Sequence, residues 1–136
     1  MSITLLQPDG LVRSPAFSHV AIVPPSATTV YLGGQNGVDE TGRLVSDDIG
    51  EQAIRALENA EAALNVAGAT LGDVIQWLIL FDESADLRTA YGAIAPKLSR
   101  DAAPPLVTGA RVAGLGVPGA LIEVSAVAAI ETTPPA

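Results

Sequence analysis

The chain has 136 residues, a formal net charge of −8 and no cysteine. That length suits one domain, and the missing cysteine removes disulfides, thiolate nucleophiles and cysteine-based metal sites. Its seven Lys and Arg residues are scattered singly, which excludes a phosphate-tracking nucleic-acid surface and disfavours an anionic membrane.

Composition is 49% hydrophobic but only 4% aromatic, so Ala, Val, Leu and Ile must build the core. A mean hydropathy of +0.39 is high for a short soluble chain, and the excess apolar surface predicts subunit contacts. No apolar run reaches the ~20 residues of a membrane span. The longest, Val74 to Phe81, is interrupted by Gln76. No basic stretch followed by an apolar one marks a secretory signal, so a soluble cytoplasmic protein is expected.

Ile3 to Leu6 is a short apolar run before the turn signal Pro8-Asp9-Gly10. His19 to Val23 and Thr28 to Leu32 read as strands joined by a Pro-Pro-Ser-Ala loop. Gly33-Gly34-Gln35-Asn36-Gly37 reads as a strand-end turn whose free amides face a cleft. It is not a phosphate loop, because no lysine follows it and Asp39-Glu40 repel phosphate. Asp48-Ile49-Gly50-Glu51 resembles a capping box. Ala53, Leu57, Ala60, Leu64 and Ala67 then follow at helical spacing, with Glu51 placed to pair with Arg55 and Gly68 to stop the helix.

Val74 to Phe81 is a buried central strand, with Trp77 in the core or an interface. Leu87 to Leu98 is a second helix, capped by Ser84 or Asp86, with Leu87, Tyr91, Ile94 and Leu98 on one face. Pro96 should bend this helix or end it early. Leu106 to Ala113 and Ala120 to Ile130 are the last strands, and 132–136 form a polar tail. The expected fold is α+β: one domain, a mixed sheet, and two helices on one face.

Several short segments, in order and spacing, carry a resemblance. They are Ser14-Pro15, Phe17-Ser18-His19, Tyr31-Leu32-Gly33-Gly34-Gln35, Asp39 with Thr41-Gly42, Ala56-Leu57-Glu58-Asn59, Ala67-Gly68-Ala69, Pro105, and Leu121-Ile122-Glu123-Val124 with Ala126. Over 13–131 the chain resembles the reactive-intermediate deaminase family, also called Rid or YjgF-like. The resemblance implies a domain similar to chorismate mutase, assembled as a homotrimer with pockets between subunits. It implies hydrolysis of small enamines or imines to 2-oxo compounds and ammonia, without a cofactor or metal. Some members carry an older ribonuclease label, which the acidic balance here does not support.

The residues that match the family pocket depart from its pattern. The position of its carboxylate-binding arginine is Val107, and its frequent cysteine is Gly109. A pocket tyrosine corresponds to Phe17, a serine to Gly33, and an asparagine to Arg88. Gly34 and Glu123 remain. The resemblance makes Glu123 the residue that positions water, with Gly34 touching the ligand. Loss of the two-pronged cation removes a contact worth about 1.5–3 kcal/mol. Arg88 or Arg111 could supply the positive charge instead.

Glu123 has a plainer reading, as an interface ion pair with Arg111 or Arg88. The single histidine, His19, excludes a multi-histidine metal site and reads as a solvated strand-end residue. The reading is thus a divergent imine-hydrolysing deaminase, or alternatively a non-catalytic homotrimer that binds a small ligand.

Overall fold

Local patterning resolves into strands and helices at the expected places in the computed structural model, which describes residues 2–131. The expected tail at 132–136 lies outside the described residues. In chain order come β1 (Thr4–Leu6), β2 (Val20–Ile22), β3 (Thr28–Gln35), α1 (Ile49–Val66), β4 (Val74–Asp82), α2 (Leu87–Leu98), β5 (Leu106–Val112) and β6 (Ile122–Ile130). A single 3-10 turn, Leu71–Asp73, leads into β4.

The main sheet has the order β3-β6-β4-β5. Only β4 and β5 run parallel, and α2 supplies the crossover that a parallel pair needs. The strands flanking the Pro-Pro-Ser-Ala loop are not neighbours: β2 pairs with β1 in a small separate sheet, whereas β3 pairs with β6.

Both helices cover one face of the main sheet. Trp77, Ile79 and Phe81 of β4 stand opposite Ala126, Val124 and Ile122 of β6, and all six are buried. Against them pack Ala53, Ala56, Leu57, Ala60 and Leu64 of α1 and Ala90 and Ile94 of α2. The alanines of α1 let its backbone lie close to the strands, so a chain poor in aromatics still fills its core. Trp77 is a core residue, 1% exposed.

Several local expectations change in their tertiary setting. Gly33 and Gly34 continue β3 as strand, because β6 pairs alongside with an irregularity between Leu32 and Gln35. They do not form the expected strand-end turn. The last strand begins at Ile122 rather than Ala120. Pro96 does not end α2 early; it falls in the last turn, where the helix runs on to Leu98. Arg55 donates from Nε to Asn59 Oδ1 at 3.1 Å, and no Glu51–Arg55 ion pair forms among the described residues. Asp48 does cap α1, accepting from the Glu51 amide at 2.9 Å.

Asp86, rather than Ser84, caps α2. Its carboxylate accepts from the amides of Arg88 and Thr89 and from the Thr89 hydroxyl. The Thr89 hydroxyl, followed by its amide, holds the Asp86 carboxyl below the ordinary 3.8. A depressed pKa contributes stability above the unfolded value, and that contribution disappears as pH falls through the folded one. Asp86→Ala should therefore lower Tm at pH 7, with the deficit shrinking once pH drops below about 4. A constant deficit from pH 7 to pH 2 in thermal melts would show that the charge contributes nothing.

Candidate functional site

The residues expected from sequence to form a site divide between the two faces of the sheet. On the helix-covered face, Val107, Gly109 and Arg111 of β5 stand opposite Trp77, Ile79 and Phe81. Edge strand β5 and α2 leave a groove of about 630 Å³ between them, whose walls include Phe17, Trp77, Tyr91, Ile94, Leu98 and Val107. The segment bearing Phe17 is tied down by the Ser18 amide, which donates to the Pro105 carbonyl at 3.1 Å. Phe17 meets His19 edge-on, with ring centroids 5.5 Å apart. His19 places Nε2 2.7 Å from the Val12 carbonyl oxygen, so its ring fastens the N-terminal loop.

Gly109 has a steric reason to be glycine. A Cβ there would lie 2.9 Å from the Tyr91 hydroxyl oxygen. Tyr91 reaches from α2 across the groove, its ring tilted against Phe81 at a centroid distance of 5.4 Å. Desolvation pushes its phenol above the usual tyrosine range.

Neither of the two cations expected from sequence borders this groove. Arg111 lies ~13 Å along the strand from Val107. Its Nη1 donates to the carbonyl oxygens of Glu83 and Ala85 at 3.1 and 3.0 Å, closing the turn between β4 and α2. Arg88 is an exposed first-turn residue of α2.

The cation that does reach the groove is Arg100. It donates to the carbonyl oxygens of Gly72, Val74 and Ala103 at 2.7–3.1 Å. Desolvation lowers its pKa, and Asp73 opposes that shift. Arg100 sits in an irregular loop, so no periodicity marks it. Tyr91 is legible in the sequence only as an apolar-face residue of α2.

The remaining expected residues lie on the opposite face. Glu123 stands opposite Leu80 and rises from a strand whose alternate residues, Ile122, Val124 and Ala126, are buried. A Cβ on Gly34 would lie 2.8 Å from both Cδ and Oε2 of Glu123. The carboxylate therefore rests on bare backbone. A Cβ on Gly33 would meet nothing within 4 Å, so the adjoining backbone is open. Among the described residues Glu123 makes no ion pair with Arg88 or Arg111.

Beneath this corner Asn36 donates to the Ile122 carbonyl at 2.9 Å. Asn59 of α1 in turn donates to the carbonyls of Asn36 and Val38. These amides fix the end of β3 against the start of β6, and so fix Gly34 against Glu123.

The structure thus joins Gly34 to Glu123, and Phe17 to Val107 with Gly109 alongside. It places those two groups on opposite faces of one chain. Arg88 and Arg111 join neither. The Glu123 face carries Tyr31, 80% exposed, and Leu78, 39% exposed, beside polar Gln76, Thr108 and Ser125, and no helix covers it in a single chain. Among the described residues no three His, Asp or Glu side chains converge as a metal site would require. No described helix is long and apolar enough to cross a membrane.

Known proteins share segments of this sequence and its fold. A RutC family protein from Pyrococcus abyssi is 40% identical over 58 residues, 42% of this chain and 46% of that protein. Human 2-iminobutanoate/2-iminopropanoate deaminase is 36% identical over 62 residues, 45% of each. The chain spans about half the length of the curated relatives it matches.

Among solved structures, a Rid-family protein of unknown function from Yersinia pestis, YyfB, superimposes with a TM-score of 0.81 at 27% identity. That match covers 96% of this chain and all of that one. The YjgF gene product of E. coli shares the fold, with a TM-score of 0.67 at 24% identity over 76% of this chain and 81% of that one. The profile of the family described as Endoribonuclease L-PSP matches residues 11–130. The chain therefore belongs to that family, the YjgF/Rid family, and shares its fold.

Proposed function

We propose that this protein hydrolyses the C=N bond of small imines or enamines in clefts formed where copies of the chain meet as a trimer. The observation that carries this reading is the contact between Glu123 and the bare backbone of Gly34 on a sheet face that no helix covers. A carboxylate so placed can hold a water molecule and take its proton. The neighbouring open backbone admits a flat substrate.

In the reaction, water adds its hydroxyl to the imine carbon while Glu123 takes the water's proton and passes it to the imine nitrogen, giving a carbinolamine. The C–N bond of the carbinolamine then breaks as its hydroxyl proton moves through Glu123 to the leaving nitrogen, which departs as ammonia and leaves a C=O. One imine and one water give one carbonyl compound and one ammonia, with no change of oxidation state. Support comes also from the human relative, which is named for deamination of 2-iminobutanoate and 2-iminopropanoate. A phosphodiester substrate suits this chain poorly, because its net charge of −8 opposes a polyanion.

In the trimer, the Glu123 face of one copy would approach the α2–β5 groove of the next, which would unite the two half-sites. To test the reaction, imines would be released from amino acids by a pyridoxal-phosphate dehydratase and from primary amines by an amine oxidase, and their decay followed. The purified protein is expected to speed decay of at least one series. If it accelerates none, the protein is a ligand-binding homologue without this activity.

A further inference from the structure

We propose that the α2–β5 groove receives an uncharged, largely apolar compound through one carbonyl or imine acceptor, bound by the Tyr91 hydroxyl, and that it does not receive a carboxylate. This rests on the reading of the groove as part of the substrate cleft and names the substrate class.

The first support is the lining. Phe17, Trp77, Ile94, Leu98 and Val107 offer carbon surface, and a cavity of about 630 Å³ lies within the usual range for small-molecule sites. An ionised carboxylate entering such walls loses its hydration, and these side chains offer it no counter-charge.

The second support is the state of the one cation at the rim. A guanidinium has five N–H donors. Arg100 makes four hydrogen bonds, all to backbone carbonyl oxygens, which leaves one N–H. Two parallel N–H groups are needed to grip a carboxylate in the two-pronged manner, so Arg100 cannot present that fork without opening its loop.

The third support is Tyr91. Its hydroxyl stands where a side chain at position 109 would begin, and it makes no hydrogen bond among the described residues. Tyr91 is 39% exposed, but it lines the groove among largely apolar walls, and a bound ligand that shuts water out of the groove leaves that hydroxyl to be paired by the ligand's own acceptor. A neutral carbonyl or imine meets that need without bringing a charge.

The test compares two ligands that differ only in charge at one end: 4-phenylbutan-2-one and 2-oxo-4-phenylbutanoate. Trp77 is the only tryptophan and lines the groove, so its fluorescence reports occupancy, with calorimetry as the second measurement. The ketone should bind at least about tenfold more tightly than the oxo acid. Tyr91→Phe should weaken the ketone by about three- to tenfold. Gly109→Ala, which displaces the hydroxyl, should do the same. Val107→Arg should reverse the order of the two ligands.

Equal or tighter binding of the oxo acid by the unmodified protein overturns the proposal, and so does the absence of any response to either ligand. Binding is read without turnover, so the two readings separate. A protein that binds the ketone but hydrolyses no imine keeps this inference and loses the reaction. One that hydrolyses imino acids and ignores the ketone does the reverse.

Discussion

Replacing Glu123 with Gln is expected to lower kcat for imine hydrolysis by about 10²- to 10⁴-fold while changing KM little. The substitution keeps the side chain's length and leaves an amide that cannot accept the proton of an attacking water. Gly34→Ala should repeat most of this loss by another route. A Cβ at 2.8 Å from Glu123 Cδ and Oε2 forces the carboxylate to swing away. The backbone at Gly34 has no positive φ, so alanine brings no conformational strain. Stability of that variant should therefore stay close to the parent while kcat falls.

Mixing experiments then ask whether the site is shared between copies. Chains carrying Glu123→Gln and chains carrying Val107→Trp, which fills the groove, should each be inactive. Co-refolded in equal amounts, they should regain about a quarter of the parental activity if each site draws its carboxylate and its groove from different protomers. If the mixture stays inactive, both halves come from one chain and the shared cleft is wrong.

What the sequence makes legible depends on the range of the interaction involved. Helix α1 follows from local facts alone: Asp48 at its start, apolar residues three and four apart, and a positive-φ Gly68 just beyond its end. Strand β4 is legible as a central strand, and it does lie between β6 and β5, but only its helix-facing residues are buried; Gln76 and Leu78 on the other face are exposed. The resemblance supplies Glu123 and Gly34 as members of one site, and the structure puts them in contact.

Anything set by strand order is illegible. Glu123 and Val107 face opposite ways because Glu123 pairs with Leu80 and Val107 with Trp77, two β4 residues that point to opposite faces, an arrangement that no local pattern encodes. The roles of the arginines are hidden for a related reason. Charge type suggests an anion partner, but the donors of Arg100 and Arg111 are engaged by carbonyl oxygens of loops that have no regular repeat. In those loops a side chain, rather than a ladder, must satisfy the backbone.

That same principle gives the largest expected change in stability, at Gln52. This side chain is fully buried. Its Nε2 donates to the carbonyl oxygens of Ser46 and Gly119 at 2.9 and 3.3 Å, and its Oε1 accepts from the Leu121 amide at 2.8 Å. One amide thereby ties the approach to α1 to the approach to β6. The packing is as close as backbone permits: a Cβ on Gly37 would lie 2.6 Å from Gln52 Cα.

Gln52→Met keeps the volume and removes all three bonds, leaving one N–H and two carbonyl groups unpaired. The groups left unpaired are only partly buried, so water recovers part of the loss and the total is about 2–4 kcal/mol. Denaturant unfolding should move to a lower midpoint with an unchanged m-value. Gln52→Glu is instructive, because it keeps the acceptor for Leu121 but turns a charge toward two carbonyl oxygens. It should be no better than methionine. Leu121 stands two residues before Glu123, so both variants should also lose activity below their unfolding temperature. If either unfolds at the parental midpoint, Gln52 does not hold the start of β6, and the position of Glu123 has another cause.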